Sequence, residues 1–299
     1  MRVGIIGIGD ICKKAYLPII SFKEDVEIVL CTRNEITLKE IKSKYRISES
    51  VNTVAELIEK NIDCAFVHSS TESHYTICKE LLSNGVNVYV DKPISYTLSE
   101  SLELSQIAKE NNKIFKVGFN RRSAPMVKNL KALGDPNIII IEKNRVNLPG
   151  DPRVFVFDDF IHVVDTLRFL MNNDYKDLTV NSLRDSTGLK SIVINLSNDK
   201  TTAIGIMNRD NGITEEVIEY MASGKKAIVR GLVHSTYFIN NEVTSKEFGD
   251  WDNTLHKRGF DTIIDSFLMD VKEGNTNYDL LDDSLKTHKL CEEIVEKLV

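Results

Sequence analysis

Short apolar runs and amphipathic stretches alternate along the first 120 residues. Val3, Ile5, Ile6 and Ile8, interleaved with Gly4, Gly7 and Gly9, form a strand that runs into the helical stretch Asp10-Ile11-Cys12-Lys13-Lys14-Ala15. Further strands are predicted over 26–31, 64–68, 86–90 and 114–119. Helices are predicted between them over 37–45, 54–60, 73–83 and 99–109, the third closed by Asn84-Gly85. Strands separated by single helices imply βαβ units and a parallel sheet covered on both faces. Ligands on such sheets bind beyond the carboxyl ends of the strands. That rule singles out the residues following Ile8, Cys31, Val67, Val90 and Val117.

The pattern changes after residue 120. A helix over 126–133, a strand over 138–141 and a helix over 157–170 lead into strands over 178–183, 191–196, 202–207, 216–221 and 226–229. Successive strands without helices between them predict an open mixed or antiparallel sheet in an α+β domain. Helices over 260–272 and 284–298 end the chain, with the Ser284 hydroxyl as candidate N-cap of the second. The expected division is 1–120 and 121–299.

Composition narrows the partners. A net charge of −6 without a basic block excludes a nucleic-acid surface, so any phosphate recognition must be local. Cys12, Cys31, Cys64, Cys78 and Cys291 show no CxxC spacing and fall among apolar residues. They read as reduced core thiols of a cytoplasmic protein, and no metal site is expected. No apolar run has the length of a membrane span, and the glycine-punctuated start does not read as a signal peptide.

Two places carry candidate chemistry in the first half. Gly7-x-Gly9 at a strand–helix junction lets the backbone turn tightly and approach a pyrophosphate, which the next helix's N–H groups would face. The third position of that fingerprint is Cys12 rather than glycine or alanine. At the end of the second strand stand Thr32 and Arg33, where an NAD-selective site carries an acidic residue; a hydroxyl and a guanidinium suit a 2′-phosphate. NADP is the expected cofactor, with NAD the alternative. Lys92 in Asp91-Lys92-Pro93 ends a buried strand, and an ordinary surface lysine is the competing reading.

In the second half, Asp158, His162 and Asp165 are spaced by four and three on an otherwise apolar helix, which predicts one polar stripe. Such a stripe serves a site or is satisfied internally, as a core histidine held by a carboxylate would be. Trp251 is a candidate lining residue. His234, His256 and His288 share no ligand spacing.

Taken in order, Gly7-x-Gly9-Asp10-Ile11 with Tyr16-Leu17-Pro18, Ser69-Ser70-Thr71-x-x-His74, Asp91-Lys92-Pro93, Gly118-Phe119-Asn120-Arg121-Arg122 with Pro125, and the Asp158/His162/Asp165 helix resemble the Gfo/Idh/MocA oxidoreductases, and most of all their MviM branch. The resemblance implies an N-terminal Rossmann domain and a C-terminal open sheet that builds a homo-oligomer, a dimer or tetramer. It implies cofactor contacts from Gly7, Gly9, Asp10, Ile11, Thr32, Arg33, Ser69, Ser70, His74, Asp91, Lys92 and Asn120. It implies Lys92 between nicotinamide and substrate, His162 as general acid/base and Asp158 as the group orienting substrate. Arg122, Asp158, His162 and Asp165 would line a pocket for a sugar, sugar acid or cyclitol. Asp91 stands where the family has glutamate, and Ser123 replaces an aromatic residue. A histidine suits proton transfer near neutrality, and Lys92 supplies charge where the substrate oxygen becomes alkoxide-like. Two other readings stay open: an NAD-retaining glycosidase using transient oxidation, and a catalytically silent dinucleotide-binding regulator.

Overall fold

The computed structural model describes residues 1–172 and 174–298. The chain forms two compact units: Met1–Gly118 with Asp261–Lys286, and Phe119–Phe260 with the chain from Thr287 onward. The boundary at 118 lies close to the expected one, but residues 261–286 fold with the first unit rather than the second. Aromatic packing accounts for that return: Phe267, on the helix Phe260–Glu273, meets Phe66 edge-on at 5.2 Å and Tyr89 at 5.5 Å. Lys116 adds polar contacts of 2.8 Å to Ser266 and Asp270 on the same helix.

The first unit is built on six parallel strands: β1 (Arg2–Ile6), β2 (Glu27–Cys31), β3 (Glu49–Val51), β4 (Cys64–Val67), β5 (Asn87–Val90) and β6 (Phe115–Val117). Their order, β3-β2-β1-β4-β5-β6, is that of a dinucleotide-binding doubly wound sheet. Central strands are buried on both faces, which explains their unbroken apolar sequences. Strand β3 escapes sequence reading because it is a three-residue edge strand containing Glu49 and Ser50. The helix Glu35–Tyr45 starts two residues before its predicted bound, because the Asn34 side chain accepts from the Thr37 N–H.

His68 follows β4 and lies at the centre of this core. Its ring stacks on Tyr16 at 3.8 Å between centroids, and neither ring nitrogen has a hydrogen-bond partner among the described residues. Burial, aided by nearby His74, pushes its pKa down to about 3.

The second unit carries an eight-stranded sheet of β7 (Pro136–Asn144), β8 (Asp177–Asp185), β9 (Gly188–Ser197), β10 (Thr202–Asn208), β11 (Glu215–Ala222), β12 (Lys225–Arg230), β13 (His234–Ile239) and β14 (Glu242–Glu247). The order is β14-β13-β12-β11-β7-β10-β9-β8; β7 and β10 pair in parallel and the other neighbours antiparallel. Strands β13 and β14 were not foreseen. All six residues of β14 are exposed, so no buried face imprints an alternation on it, and its charges guard the sheet edge. The helix Ile161–Met171 covers one sheet face, pressing Val163 and Leu167 onto Gly205 of β10. The last helix runs Asp279–Leu298, not from Ser284. Asn277 Oδ1 accepts from Asp279 N at 2.8 Å and starts it earlier, while Ser284 donates to the Leu280 carbonyl in its interior.

Two expectations follow. A Cβ at Gly205 would lie 2.9 Å from Val163 Cγ1 and 3.0 Å from both Ile194 Cγ1 and Leu167 Cδ1. Gly205→Val should therefore cost about 1–3 kcal/mol in denaturant unfolding; an unchanged midpoint would show that the helix does not bear on β10. His68 binds its proton near 6.5 when unfolded and near 3 when folded, so its contribution is intact above 6.5 and drains as pH falls between those values. Thermal unfolding of His68→Leu over that interval should show a shallower acid loss than the wild-type protein.

Candidate functional site

In the first unit the glycine turn is forced by the neighbouring strand. Gly7 has φ of 79°, and a Cβ on it would lie 2.3 Å from Ser69 N, inside the backbone that follows β4. Gly9 differs: a Cβ there meets no heavy atom within 4 Å, so nothing in the chain's own packing demands a glycine. A pyrophosphate approaching the backbone does demand one. The turn continues into a π-helical stretch, Cys12–Tyr16, with Cys12 fully buried as a packing residue. Asp10 is exposed and pairs with Lys14 at 2.9 Å, and Ile11 is 38% exposed. Thr32 and Arg33 follow β2 in partly and fully accessible positions, as a contact to the adenosine end of a dinucleotide requires. Ser69 and Ser70 precede the helix Thr71–Ser83; Ser73 donates to the Ser70 carbonyl, and its hydroxyl lies 2.8 Å from Ser69 Oγ. These residues fit a dinucleotide.

Two residues expected at the cofactor turn inward instead. His74 is 2% exposed, with Nδ1 2.8 Å from the Pro93 carbonyl and Nε2 3.0 Å from that of Ser69. Its ring ties the Ser69 turn to the segment carrying Lys92, and both nitrogens are occupied in doing so. Asp91 accepts from the Lys92 backbone N–H at 3.0 Å and from Tyr16 Oη at 3.5 Å, and Tyr16 Oη lies 3.1 Å from Tyr89 Oη. Burial raises the Asp91 carboxyl above the carboxylate range, against the pull of Lys92 and His74. Asp91 and His74 therefore shape the turn that presents Lys92, itself half-buried.

In the second unit the single stripe predicted for Asp158, His162 and Asp165 is divided. The residues Phe155–Phe160 form a π-helical turn before the helix Ile161–Met171 begins; Asp158 on the turn and His162 on the helix are half-buried, whereas Asp165 is withdrawn. Asp165 is 1% exposed and is consumed by a bidentate pair with Arg122, whose Nε lies 2.9 Å from Oδ2, and by Thr287 Oγ1 at 2.9 Å. Arg122 and Asp165, expected to bind substrate, neutralise each other within the core. Asn120, expected at the cofactor, is 4% exposed and donates its amide to the Arg258 carbonyl at 2.9 Å.

His162 is half-buried, and its Nδ1 lies 2.6 Å from Arg121 Nη1. A guanidinium only donates, so Nδ1 accepts and the neutral ring carries its proton on Nε2. Arg121 is itself held by Glu216 through Nε at 2.5 Å and Nη2 at 2.8 Å. Burial alone would raise the Glu216 carboxyl, but Arg121, with Lys143 and Arg258, holds it below the usual range. Beside this pair, Asp159 is 8% exposed and receives Lys143, Arg145 at 3.0 Å and Arg209 at 3.2 Å. Arg121, Glu216, Lys143, Arg145, Asp159 and Arg209 were missed as site residues by sequence reading. Only the Asn120-Arg121-Arg122 motif pointed near them; the rest meet through strand pairing. Trp251 is 99% exposed on a turn. Among the described residues no group of three His, Cys, Asp or Glu side chains could hold a metal ion, and no helix is long and apolar enough to cross a membrane.

Comparison with known proteins agrees with this geometry. Residues 1–119 match a model described as an oxidoreductase family with an NAD-binding Rossmann fold, and residues 125–237 match the YceM-like C-terminal domain. The chain is 31% identical to YceM of Salmonella typhimurium over 269 residues, covering 87% of this chain and 86% of YceM. It is 25% identical over 224 residues to the myo-inositol 2-dehydrogenase of Thermotoga maritima, covering 71% of this chain and 66% of that one. The solved structure of an MviM dehydrogenase from Clostridium difficile superposes with a TM-score of 0.93 at 34% identity, over 99% of each chain. With the strand order, the glycine turn and this likeness over nearly its whole length, the chain belongs to the Gfo/Idh/MocA family and is an NAD(P)-dependent oxidoreductase.

Proposed function

We propose that the protein transfers hydride between NADP(H) and a carbinol or carbonyl of a small polyhydroxylated substrate in the cytoplasm. The observation that carries this reading is the contact of Arg121 with His162 Nδ1, which sets the histidine's proton on Nε2. Likeness to a myo-inositol 2-dehydrogenase supports a hydroxyl-rich substrate, and five buried free thiols suit a reducing compartment. Gly7 and Gly9 would face the pyrophosphate, and Thr32 and Arg33 the 2′-phosphate. The bound nicotinamide supplies or accepts the hydride.

Each protein group then has one task. His162 Nε2–H hydrogen-bonds the substrate oxygen in its carbonyl form and, as general acid, gives it that proton as hydride reaches the carbon, the ring then being reprotonated from water. Taking up a proton in the opposite direction requires Arg121 to withdraw from Nδ1, so Arg121 biases the ring towards donation. Lys92 supplies positive charge to the same oxygen, and Asp158 orients a substrate hydroxyl. Through the sheet face opposite the helix Ile161–Met171, where Ile140, Ile204, Ile206, Val217, Met221 and Ile228 are half-exposed, the protein forms a homo-oligomer.

Steady-state kinetics on a panel of sugars, sugar acids and cyclitols, read by the absorbance of reduced cofactor, tests the reading. Net cofactor reduction is expected. Cleavage of aryl glycosides without net absorbance change would instead indicate the glycosidase, and thermal stabilisation by cofactor without any turnover the silent binder. His162→Ala should lower kcat by about 10²–10⁴-fold with cofactor affinity within a few-fold; near wild-type kcat/KM would make the Arg121–His162 contact purely structural. Arg33→Ala should weaken NADP by about 1.5–3 kcal/mol and leave NAD nearly unchanged. Equal affinity of the wild-type protein for both cofactors would refute the assignment of Thr32 and Arg33. For the oligomer, Ile204→Lys should shift the mass in light scattering to that of one chain.

A further inference from the structure

We propose that the substrate carries an oxyanion, a carboxylate or a phosphate, bound by Arg145 and Arg258 beside His162. This rests on the dehydrogenase reading above and names its substrate class. The second unit carries a charge imbalance. Lys143, Arg145 and Arg209 converge on one carboxylate, Asp159. Arg121 is paired with Glu216, and Arg258 stands near both Glu216 and Arg145. Asp158 is the remaining acid that Arg209 faces. Glu215 belongs to the other pleat of β11, where it accepts from the Asn144 amide. Five cations thus face Asp158, Asp159 and Glu216.

Buried charge of one sign is costly unless it is compensated. Lys143 is 1% exposed and Arg209 7%, and Arg209 Nε is buried without a hydrogen-bond partner. Fastening a helix to a sheet would need a single cation on Asp159. The other two on Asp159 go beyond that need, and of the five cations Arg145 and Arg258 are accessible. Arg145 spends Nε and Nη2 on Asp159, and its side chain remains 30% exposed; Nη1 has no partner among the described residues. Arg258 is exposed, and its guanidinium has no hydrogen-bond partner among the described residues. Burial and the neighbouring Arg121, Arg209 and Arg258 depress the Arg145 pKa, with Glu216 opposing them. An anion arriving there relieves that repulsion.

The position is fixed as well as charged. The Arg258 carbonyl is held by the Asn120 amide, and Gly259 follows at φ of 76°, where a Cβ would lie 2.5 Å from Asn120 O. Asn120 adjoins Arg121, and Arg121 touches His162. An oxyanion gripped by Arg145 and Arg258 would therefore anchor one end of a substrate whose reacting oxygen meets His162. Guanidinium groups match carboxylate and phosphate in a bidentate, charge-assisted fashion that a neutral hydroxyl cannot use.

Thermal-shift titrations with glucose, glucuronate and glucose 6-phosphate, in the presence of NADP, test this on the wild-type protein and on Arg145→Met, Arg145→Lys and Arg258→Met. Exposed Arg258 can be replaced without loss of folding, and Arg145→Lys keeps the charge on Asp159. The wild-type protein should respond to one or both anions and not to glucose, and the response should weaken as ionic strength rises. Preference between glucuronate and glucose 6-phosphate tells carboxylate from phosphate. Arg258→Met and Arg145→Met should each weaken the anion by about tenfold or more, the equivalent of one charge-assisted hydrogen bond. Arg145→Lys should restore part of that loss. Equal responses to glucose and its acids, or anion responses untouched in Arg258→Met, would overturn the proposal. Specific anion binding without cofactor reduction on any sugar acid would leave the anion site standing and remove the dehydrogenase reading, whereas turnover of neutral sugars alone would do the reverse.

Discussion

A carboxylate can be buried only where cations reach it, and in the second unit that constraint centres on Asp159. It lies on the π-helical turn Phe155–Phe160, and its partners come from the end of β7, from Arg145 just beyond it, and from Arg209 just after β10. Three segments are thereby held to one point. Breaking a buried pair leaves an uncompensated charge, typically a cost of about 3–5 kcal/mol. The pairs Arg121–Glu216 and Arg122–Asp165 repeat the solution, the first with a carboxylate of β11 and the second with one of the helix Ile161–Met171. Side chains that an outside ligand could have claimed are partly spent on the fold, and His162 receives its orientation from one of them.

The first unit solves a different problem with backbone. Its cofactor turn depends on Gly7, pressed against Ser69, and on open space at Gly9. Side-chain work there is indirect: His74 bridges two carbonyls and Asp91 gathers Tyr16 and the Lys92 amide. Both shape the turn that carries Lys92. Such positioning is invisible to a motif, because a residue that holds a turn and one that touches a ligand occupy the same place in the pattern.

The widened helical turn at Phe155–Phe160 shows where pattern reading has its limit. An ideal helix brings residues four apart onto one face. Here a π turn carrying Asp158 leads into the helix of His162, both half-buried, while Asp165 retires to Arg122 and Thr287. Nothing in Phe155-Val156-Phe157-Asp158-Asp159-Phe160 announces the change, since its apolar residues satisfy either helix. The start of the last helix was misplaced for a related reason: Ser284 and Asn277 are both cap-forming residue types, and only the structure shows which side chain takes the terminal N–H.

What the sequence by itself determined is whatever has a local physical cause. Buried parallel strands must be apolar throughout, a tight strand–helix turn must have a glycine, and strands in succession must build a sheet; hence the Rossmann sheet, the turn at Gly7 and the open second sheet were legible. Tertiary structure decided the rest. The return of residues 261–286 to the first unit is set by Phe267 against Phe66 and Tyr89. The exposed edge strand β14 owes its place to ladder hydrogen bonds with β13, which any sequence can make. The partners of Asp159, His162 and Asp165 are chosen by which cations the sheet and helices bring within hydrogen-bond reach, and charge pairing over long sequence separations leaves no periodicity to read.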